Sequence, residues 1–251
     1  MIWLIGGTSD SVKIAELLSQ INLPLLVSIT TNNAQNLYSH IPNLRFFVGK
    51  ITPEQLPEFL TQNKIKIIID ASHPYATIIS ENVITVAKLS QIPYLRYERP
   101  LSLYFSSQII EFSSINELLI SNYLGGKRVL LTLGYKSLGL FSNYHNQAQL
   151  YARILPYPES ITAAIQAGFT SERLIAIRPP LSIELEKALW QLWSIKVVVT
   201  KASGDSGGED IKRQVSEELK IPLVVISRPK INYSQMTFKL EDVVEFCSQY
   251  F

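Results

Sequence analysis

Two short stretches bring together the side chains best suited to chemistry. Asp70-Ala71-Ser72-His73-Pro74-Tyr75-Ala76 sets a hydroxyl, an imidazole and a phenol directly after the apolar run Ile65 to Ile69. His73 can donate to a ligand carboxylate or protonate a substrate carbon, because imidazole titrates near neutral pH. The competing reading is a histidine that caps and packs, with Pro74 at the first position of the next helix. Lys201-Ala202-Ser203-Gly204-Asp205-Ser206-Gly207-Gly208 follows a second run, Val197 to Thr200. Its small residues let the backbone approach a ligand, while Lys201 supplies charge and Ser203 a hydroxyl. Lys212 falls on the first turns of the helix expected next. Arg96, Arg99, Arg153, Arg178, Lys201 and Arg228 all stand at or just beyond the ends of apolar runs, which suits an anionic ligand.

A third stretch, Gly6-Gly7-Thr8-Ser9-Asp10, follows the run Ile2 to Ile5 and opens a helical pattern through Ile14, Leu17 and Leu18. Backbone amides and a helix N-terminus there can hold a pyrophosphate. A dinucleotide fingerprint would carry a third glycine near Ser11, so a tight strand-to-helix turn with Asp10 at the helix start is the plainer alternative. After the second run the chain reads Val27-Ser28-Ile29-Thr30-Thr31, with hydroxyls where an NAD-selective site carries an acid. Ser28 and Thr30 would tolerate a 2′-phosphate, which favours NADPH over NADH. His40 and His145 lie in polar loops without ligand-spaced neighbours, and Cys247 is the only cysteine. No metal site or disulfide is expected, and Cys247 reads as a small core residue.

The elements that position these residues repeat. Ile-Pro pairs end at 93 and 222 and Arg-Pro pairs at 100 and 229, so both are offset by 129 positions. Each copy reads as apolar run, polar loop, helix-length segment, short apolar run and Arg-Pro stop. Continuous apolar runs followed by helices are how buried parallel strands read, and the residues after them lie at the carboxyl edge where open α/β sheets bind ligands. The expected architecture is α/β: two Rossmann-like, doubly wound, mostly parallel domains facing across an interdomain cleft. The boundary is expected at Gly125-Gly126, giving residues 1–125 and 126–251.

Composition agrees. The 251 residues suffice for two domains, and 47% hydrophobic with 18% charged residues fits sheets covered on both faces. A net charge of +2 gives no nucleic-acid footprint. No apolar run has the roughly 18 to 20 residues of a membrane span. A cytoplasmic protein acting on a small molecule is the expectation.

Taken in order, these pieces resemble the precorrin-6A reductase family of cobalamin biosynthesis. The matching stretches are Gly6-Gly7-Thr8 with Asp10, Asp70 to Ala76, Leu95-Arg96-Tyr97-Glu98-Arg99-Pro100, Leu131-Thr132-Leu133-Gly134-Tyr135-Lys136, Ala152-Arg153-Ile154-Leu155-Pro156, Thr200 to Gly204, Lys212, Ile221-Pro222 and Arg228-Pro229. Departures are local: Val12, Tyr135 and Arg178-Pro179-Pro180 stand where the family usually has arginine, serine and Gln-Gly-Pro. The resemblance implies hydride transfer from NADPH, or alternatively NADH, to a carbon of the tetrapyrrole precorrin-6A or its cobalt form, with a proton added beside it. It implies cofactor contacts at Gly6, Gly7, Thr8, Ser9, Asp10, Ser28 and Thr30. Substrate contacts fall to Ser72, His73, Tyr75, Arg96, Arg99, Lys136, Arg153, Lys201, Ser203, Gly204 and Lys212, with His73, a hydroxyl or water as proton source. A non-enzymatic sensor or carrier of an anionic small molecule would use similar loops, as would a transferase on nucleotide-activated substrates.

Overall fold

Alternating side chains of the first apolar run face opposite ways and both faces are covered, as a strand at the centre of a parallel sheet requires. The computed structural model describes residues 1–102, 107–179 and 181–251, so Pro180 lies outside the described residues. By chain contacts it divides into two units, Met1–Pro100 with Lys230–Phe251, and Leu101–Pro229.

In the first unit β1 (Ile2–Ile5), α1 (Ser9–Gln20), β2 (Leu25–Ile29), α2 (Asn32–Gln35), β3 (Arg45–Val48), α3 (Leu56–Gln62), β4 (Ile67–Asp70), α4 (Thr77–Leu89) and β5 (Tyr94–Tyr97) follow in order. Ile2, Leu4, Ile67 and Ile69 pack with Ile14 and Leu18 of α1, whereas Trp3, Ile5 and Ile68 pack with Leu56, Phe59 and Leu60 of α3 and Val83 and Val86 of α4. The Trp3 indole is fully buried and donates to the Ser28 hydroxyl at 2.9 Å. That bond keeps a large apolar side chain from burying an unmatched N–H.

The second unit contains β6 (Ile109–Phe112), α5 (Ile115–Ile120), β7 (Arg128–Leu131), a 3-10 helix Tyr135–Tyr144, β8 (Gln149–Ile154), α6 (Pro158–Gln166), β9 (Leu174–Ala176), α7 (Ile183–Leu192), β10 (Val197–Lys201), α8 (Glu209–Leu219) and β11 (Leu223–Ile226). The chain then returns to the first unit with β12 (Met236–Thr237) and α9 (Leu240–Ser248).

Both six-stranded sheets are parallel in every described pairing. Their orders are β12-β5-β4-β1-β2-β3 and β6-β11-β10-β7-β8-β9. Read from the other edge, each is the 3-2-1-4-5-6 arrangement of a doubly wound dinucleotide fold. The sixth strand, however, is exchanged. β6 follows the first five strands in the chain but pairs with β11, and β12 follows the second five but pairs with β5. The division expected at Gly125-Gly126 is therefore corrected: the chain changes unit at Pro100/Leu101 and Pro229/Lys230, just after each Arg-Pro pair. A glycine pair marks a turn well, but it carries no signal of which sheet the neighbouring strand joins.

The exchanged tail is part of the core. Val243, Phe246 and Cys247 of α9 pack with Ile2, Leu4, Ile67 and Leu95. Burial pushes the Cys247 thiol up to about 12, as suits an inert packing residue. No described helix is long and apolar enough to cross a membrane.

Candidate functional site

In sheets of this order ligands bind past the carboxyl ends of the strands, at the point where the order reverses. In the first unit that point lies between β1 and β4, which brings the Gly6-Gly7-Thr8 loop beside Ala71-Ser72-His73. A hydrogen bond from Thr8 Oγ1 to the Ala71 carbonyl, 2.9 Å, joins the two loops. Thr8 also caps α1, its side chain accepting from Ser11 N while the Ser11 hydroxyl accepts from Thr8 N. Ser11, at the place of a third glycine, thus completes a capping box.

Several expected cofactor contacts prove to hold the fold. A Cβ at Gly6 would come within 2.5 Å of the Tyr38 hydroxyl and 2.8 Å of Val27, so that glycine permits a close approach of loop and sheet. Gly7 has φ +92 and open space around its would-be Cβ, but its amide donates to Tyr38 Oη at 2.8 Å. Asp10 is buried and pairs with Arg99 at 2.5 Å. Thr8 belongs to the capping box and Ser28 accepts from Trp3. Ser9 and Thr30, like Gly7, are exposed near the carboxyl edge. Tyr38 escaped notice in the sequence because a lone tyrosine in a polar loop carries no motif.

Asp70 is the centre of a buried network. Its carboxylate accepts from Ser72 N at 3.0 Å, Ser80 Oγ at 2.6 Å, Tyr94 Oη at 2.8 Å and Arg96 Nη1 at 2.8 Å. Burial alone would raise its pKa, but the Arg96 charge and the hydrogen bonds from Ser80 and Ser72 outweigh burial and hold it below the usual carboxylate range. Arg96 also pairs with Glu98 and donates to Ser72 Oγ at 3.0 Å. With 1% of its surface exposed, Arg96 is corrected from a substrate contact to a support of the Ser72-His73 loop. Arg99, buried against Asp10, is corrected likewise.

His73 is exposed past β4, with Nδ1 accepting from Tyr75 N at 3.3 Å and its ring 5.8 Å from that of half-buried Tyr75. This bond makes Nε2 the protonated nitrogen of the neutral ring. Pro74 does not open the helix: a turn closed by Ala76 N to His73 O, 2.7 Å, intervenes, and α4 begins at Thr77. The other two histidines are engaged structurally, His40 with Glu16 and His145 with the Ala167 carbonyl.

In the second unit the order reverses between β7 and β10. Gly134 there has φ +79 with open space around it, the counterpart of Gly7. Lys201 Nζ donates to Ser137 Oγ across the reversal at 3.1 Å. Burial and, after it, the charge of exposed Lys136 lower the Lys201 pKa. An anion held there would relieve both effects. Ser203 and Gly204 are buried in the loop that follows, where Glu209 accepts from Gly204 N at 2.8 Å and pairs with Arg213.

Arg153 and Lys212, expected to meet substrate, are buried instead. Arg153 pairs with Glu186, which also accepts from Trp190 Nε1 at 3.1 Å. Lys212 donates to the carbonyls of Gly207 at 3.0 Å and Gly208 at 2.6 Å, bracing the loop ahead of α8. Burial, then the Arg153 charge, brings its pKa down to about 8. The open glycine turns at Gly7 and Gly134 fit a dinucleotide phosphate, and the Lys136, Ser137 and Lys201 group fits carboxylates.

Comparison with known proteins follows the same lines. The model of the family described as Precorrin-6x reductase CbiJ/CobK matches residues 1–248. The chain is 46% identical over 252 residues to the cobalt-precorrin-6A reductase of Synechocystis sp., covering 99% of this chain and 96% of that protein. It is 31% identical to the cobalt-precorrin-6A reductase of Priestia megaterium, covering 97% and 96%. A solved structure, CobK precorrin-6A reductase, superposes with a TM-score of 0.82 at 20% identity over 99% of this chain and 96% of that one, a likeness of fold.

Proposed function

Because the chain belongs to the precorrin-6x reductase family, we propose that it reduces cobalt-precorrin-6A with NADPH in cobalamin biosynthesis. The observation that carries this reading is the match along residues 1–248, which takes in both sheets and both order reversals. Curated relatives at 46% and 31% identity are named for the cobalt form, whereas one named for precorrin-6A, from Mycobacterium tuberculosis, is 26% identical. That gradient favours the cobalt-containing macrocycle as substrate.

The nicotinamide supplies a hydride, two electrons with one proton, to an unsaturated ring carbon, and a second proton completes the reduction at its neighbour. The protein's part is to hold and orient. Lys201 and Lys136, with the hydroxyls of Ser137 and Ser203, hold macrocycle carboxylates by charge-assisted hydrogen bonds. Ser72, His73 and Tyr75 are the first unit's candidates for contact with the macrocycle. Gly134 in the second unit, and Gly7, Ser9 and Thr30 in the first, are the candidates for cofactor contact. Water is the expected source of the second proton, with His73, carrying Nε2–H, as the alternative donor.

An anaerobic assay of both macrocycle forms with NADPH and with NADH, followed by absorbance, tests the reading. Oxidation of NADPH coupled to loss of cobalt-precorrin-6A is expected, and turnover of neither macrocycle would favour a binding protein. Lys201→Ala is expected to raise the KM for the macrocycle about tenfold or more, the weight of one charge-assisted bond, with an unchanged urea midpoint.

A further inference from the structure

We propose that Arg178, tethered to the hydroxyl of Tyr157, reads the 2′-phosphate of NADPH, so that the second unit selects the cofactor. The inference rests on the nicotinamide-dependent reading above. In a sheet of this order the adenosine ribose lies past the end of the second strand; an acid there selects a free 2′-hydroxyl and an arginine accommodates a 2′-phosphate.

In the second unit the second strand is β8 and the third is β9. Their register pairs Ile154 with Ala176, and Ile177 N donates to Ile154 O at 2.9 Å just beyond it. Tyr157 follows β8 closely as the N-cap of α6, and Arg178 follows β9. Arg178 Nη2 donates to the Tyr157 hydroxyl, and its Cζ lies 5.4 Å from the ring centroid. The guanidinium is exposed while the ring is half-buried. A planar fork is thereby tethered at the hydroxyl edge of the ring, and less side-chain freedom remains to be lost on meeting a phosphate. Residues Leu155 to Pro158 include no carboxylate; Glu159, exposed in the first turn of α6, is the first one beyond.

The first unit is the rival. There Gly49 N donates to Ile29 O at 2.8 Å, in the same relation as Ile177 to Ile154, which sets Lys50 level with Arg178 and Asn32 level with Tyr157. A lysine has no fork, and asparagine offers no phenol hydroxyl to tether it. The Gly7 amide of that unit already donates to Tyr38. Both differences favour the second unit as the one that reads the adenosine end.

Binding of NADPH and NADH to the whole protein can be followed by nicotinamide fluorescence, with 2′,5′-ADP and 5′-AMP as competitors that lack the nicotinamide. The wild type is expected to bind NADPH, and 2′,5′-ADP against 5′-AMP, about tenfold or more tightly, as the loss of one charge-assisted pair would predict. Arg178→Ala is expected to bring each ratio within about threefold while NADH affinity holds. Lys50→Ala is expected to retain the preference. Full preference in Arg178→Ala, or its loss in Lys50→Ala, overturns the proposal. Equal binding of both dinucleotides by the wild type overturns it too, leaving the reductase reading intact. Failure to bind either dinucleotide removes the nicotinamide-dependent reading and this inference with it.

Discussion

Arg96 stands at the end of an apolar run, where the sequence invites a cation for an anionic ligand, yet its guanidinium lies between Asp70 and Glu98 with 1% exposure. Removing one partner of such a pair leaves a buried charge unmatched. Arg96→Met is therefore expected to cost about 3–5 kcal/mol of stability, and Asp70→Asn in the same chain is expected to recover part of that loss. A double-mutant cycle from urea unfolding measures the coupling, and simple additivity would refute it. Lys212 raises the complementary question of an amine buried against carbonyls. Its pKa of about 8 in the fold lies below the ordinary value of 10.5, so the unfolded chain binds the proton more tightly between the two. Its contribution to stability is therefore fully present above pH 10.5 and lost as pH falls through 8. Lys212→Met removes this dependence. The stability of the wild type relative to Lys212→Met should rise from pH 8 towards 10.5, and a flat difference would show that the amine does not titrate in that window.

At the scale of elements the repeat extends to backbone detail. Gln91 and Lys220, 129 positions apart like the proline pairs, both adopt left-handed conformations, with φ 53 and 54. They end α4 and α8, and the next residues close the turns by Ile92 N to Ala87 O and Ile221 N to Ser216 O. A side chain in this conformation costs about 1–2 kcal/mol, of which glycine's greater freedom when unfolded gives back roughly 0.5–1. Gln91→Gly and Lys220→Gly should each stabilise by a few tenths to about 1 kcal/mol, read as a higher urea midpoint at constant slope. A lower midpoint would mean that the side chains contribute more than the turn costs. Strands were the readily legible elements, because apolar runs such as Ile67–Asp70 and Val197–Lys201 sit at sheet centres and have few other readings. The loops after them were legible as places but less so as roles. Lys136 lies near enough to Lys201 for its charge to be felt there, whereas Arg153 and Lys212 meet Glu186 and backbone carbonyls. Glu186 stands 33 residues from Arg153, a separation no local pattern records, whereas the carbonyls of Gly207 and Gly208 are near Lys212 in sequence and turn towards it only through the loop ahead of α8.

For the whole molecule the least legible feature is the exchange of tails. The tails of the two copies, β6 with α5 and β12 with α9, are each a short strand and a helix, but each strand belongs to the sheet of the other copy. Local sequence specifies a strand and a helix without specifying which edge they cover. The consequence for folding is direct. Residues 1–125 carry β6 and α5, which have no place in the first sheet, and lack α9, whose Val243, Phe246 and Cys247 fill its core. Exposing the core that those three residues cover removes roughly 1.5–3 kcal/mol for each large apolar side chain, a large share of the 5–15 kcal/mol that holds a typical domain folded. A polypeptide of residues 1–125 should therefore fail to unfold cooperatively. Residues 1–100 joined through a flexible glycine-serine linker to 230–251 restore β12 and α9 and should give a single urea transition with native-like circular dichroism. The reverse result, a cooperative 1–125 and an unfolded joined chain, would mean that the sixth strand pairs within its own half in solution.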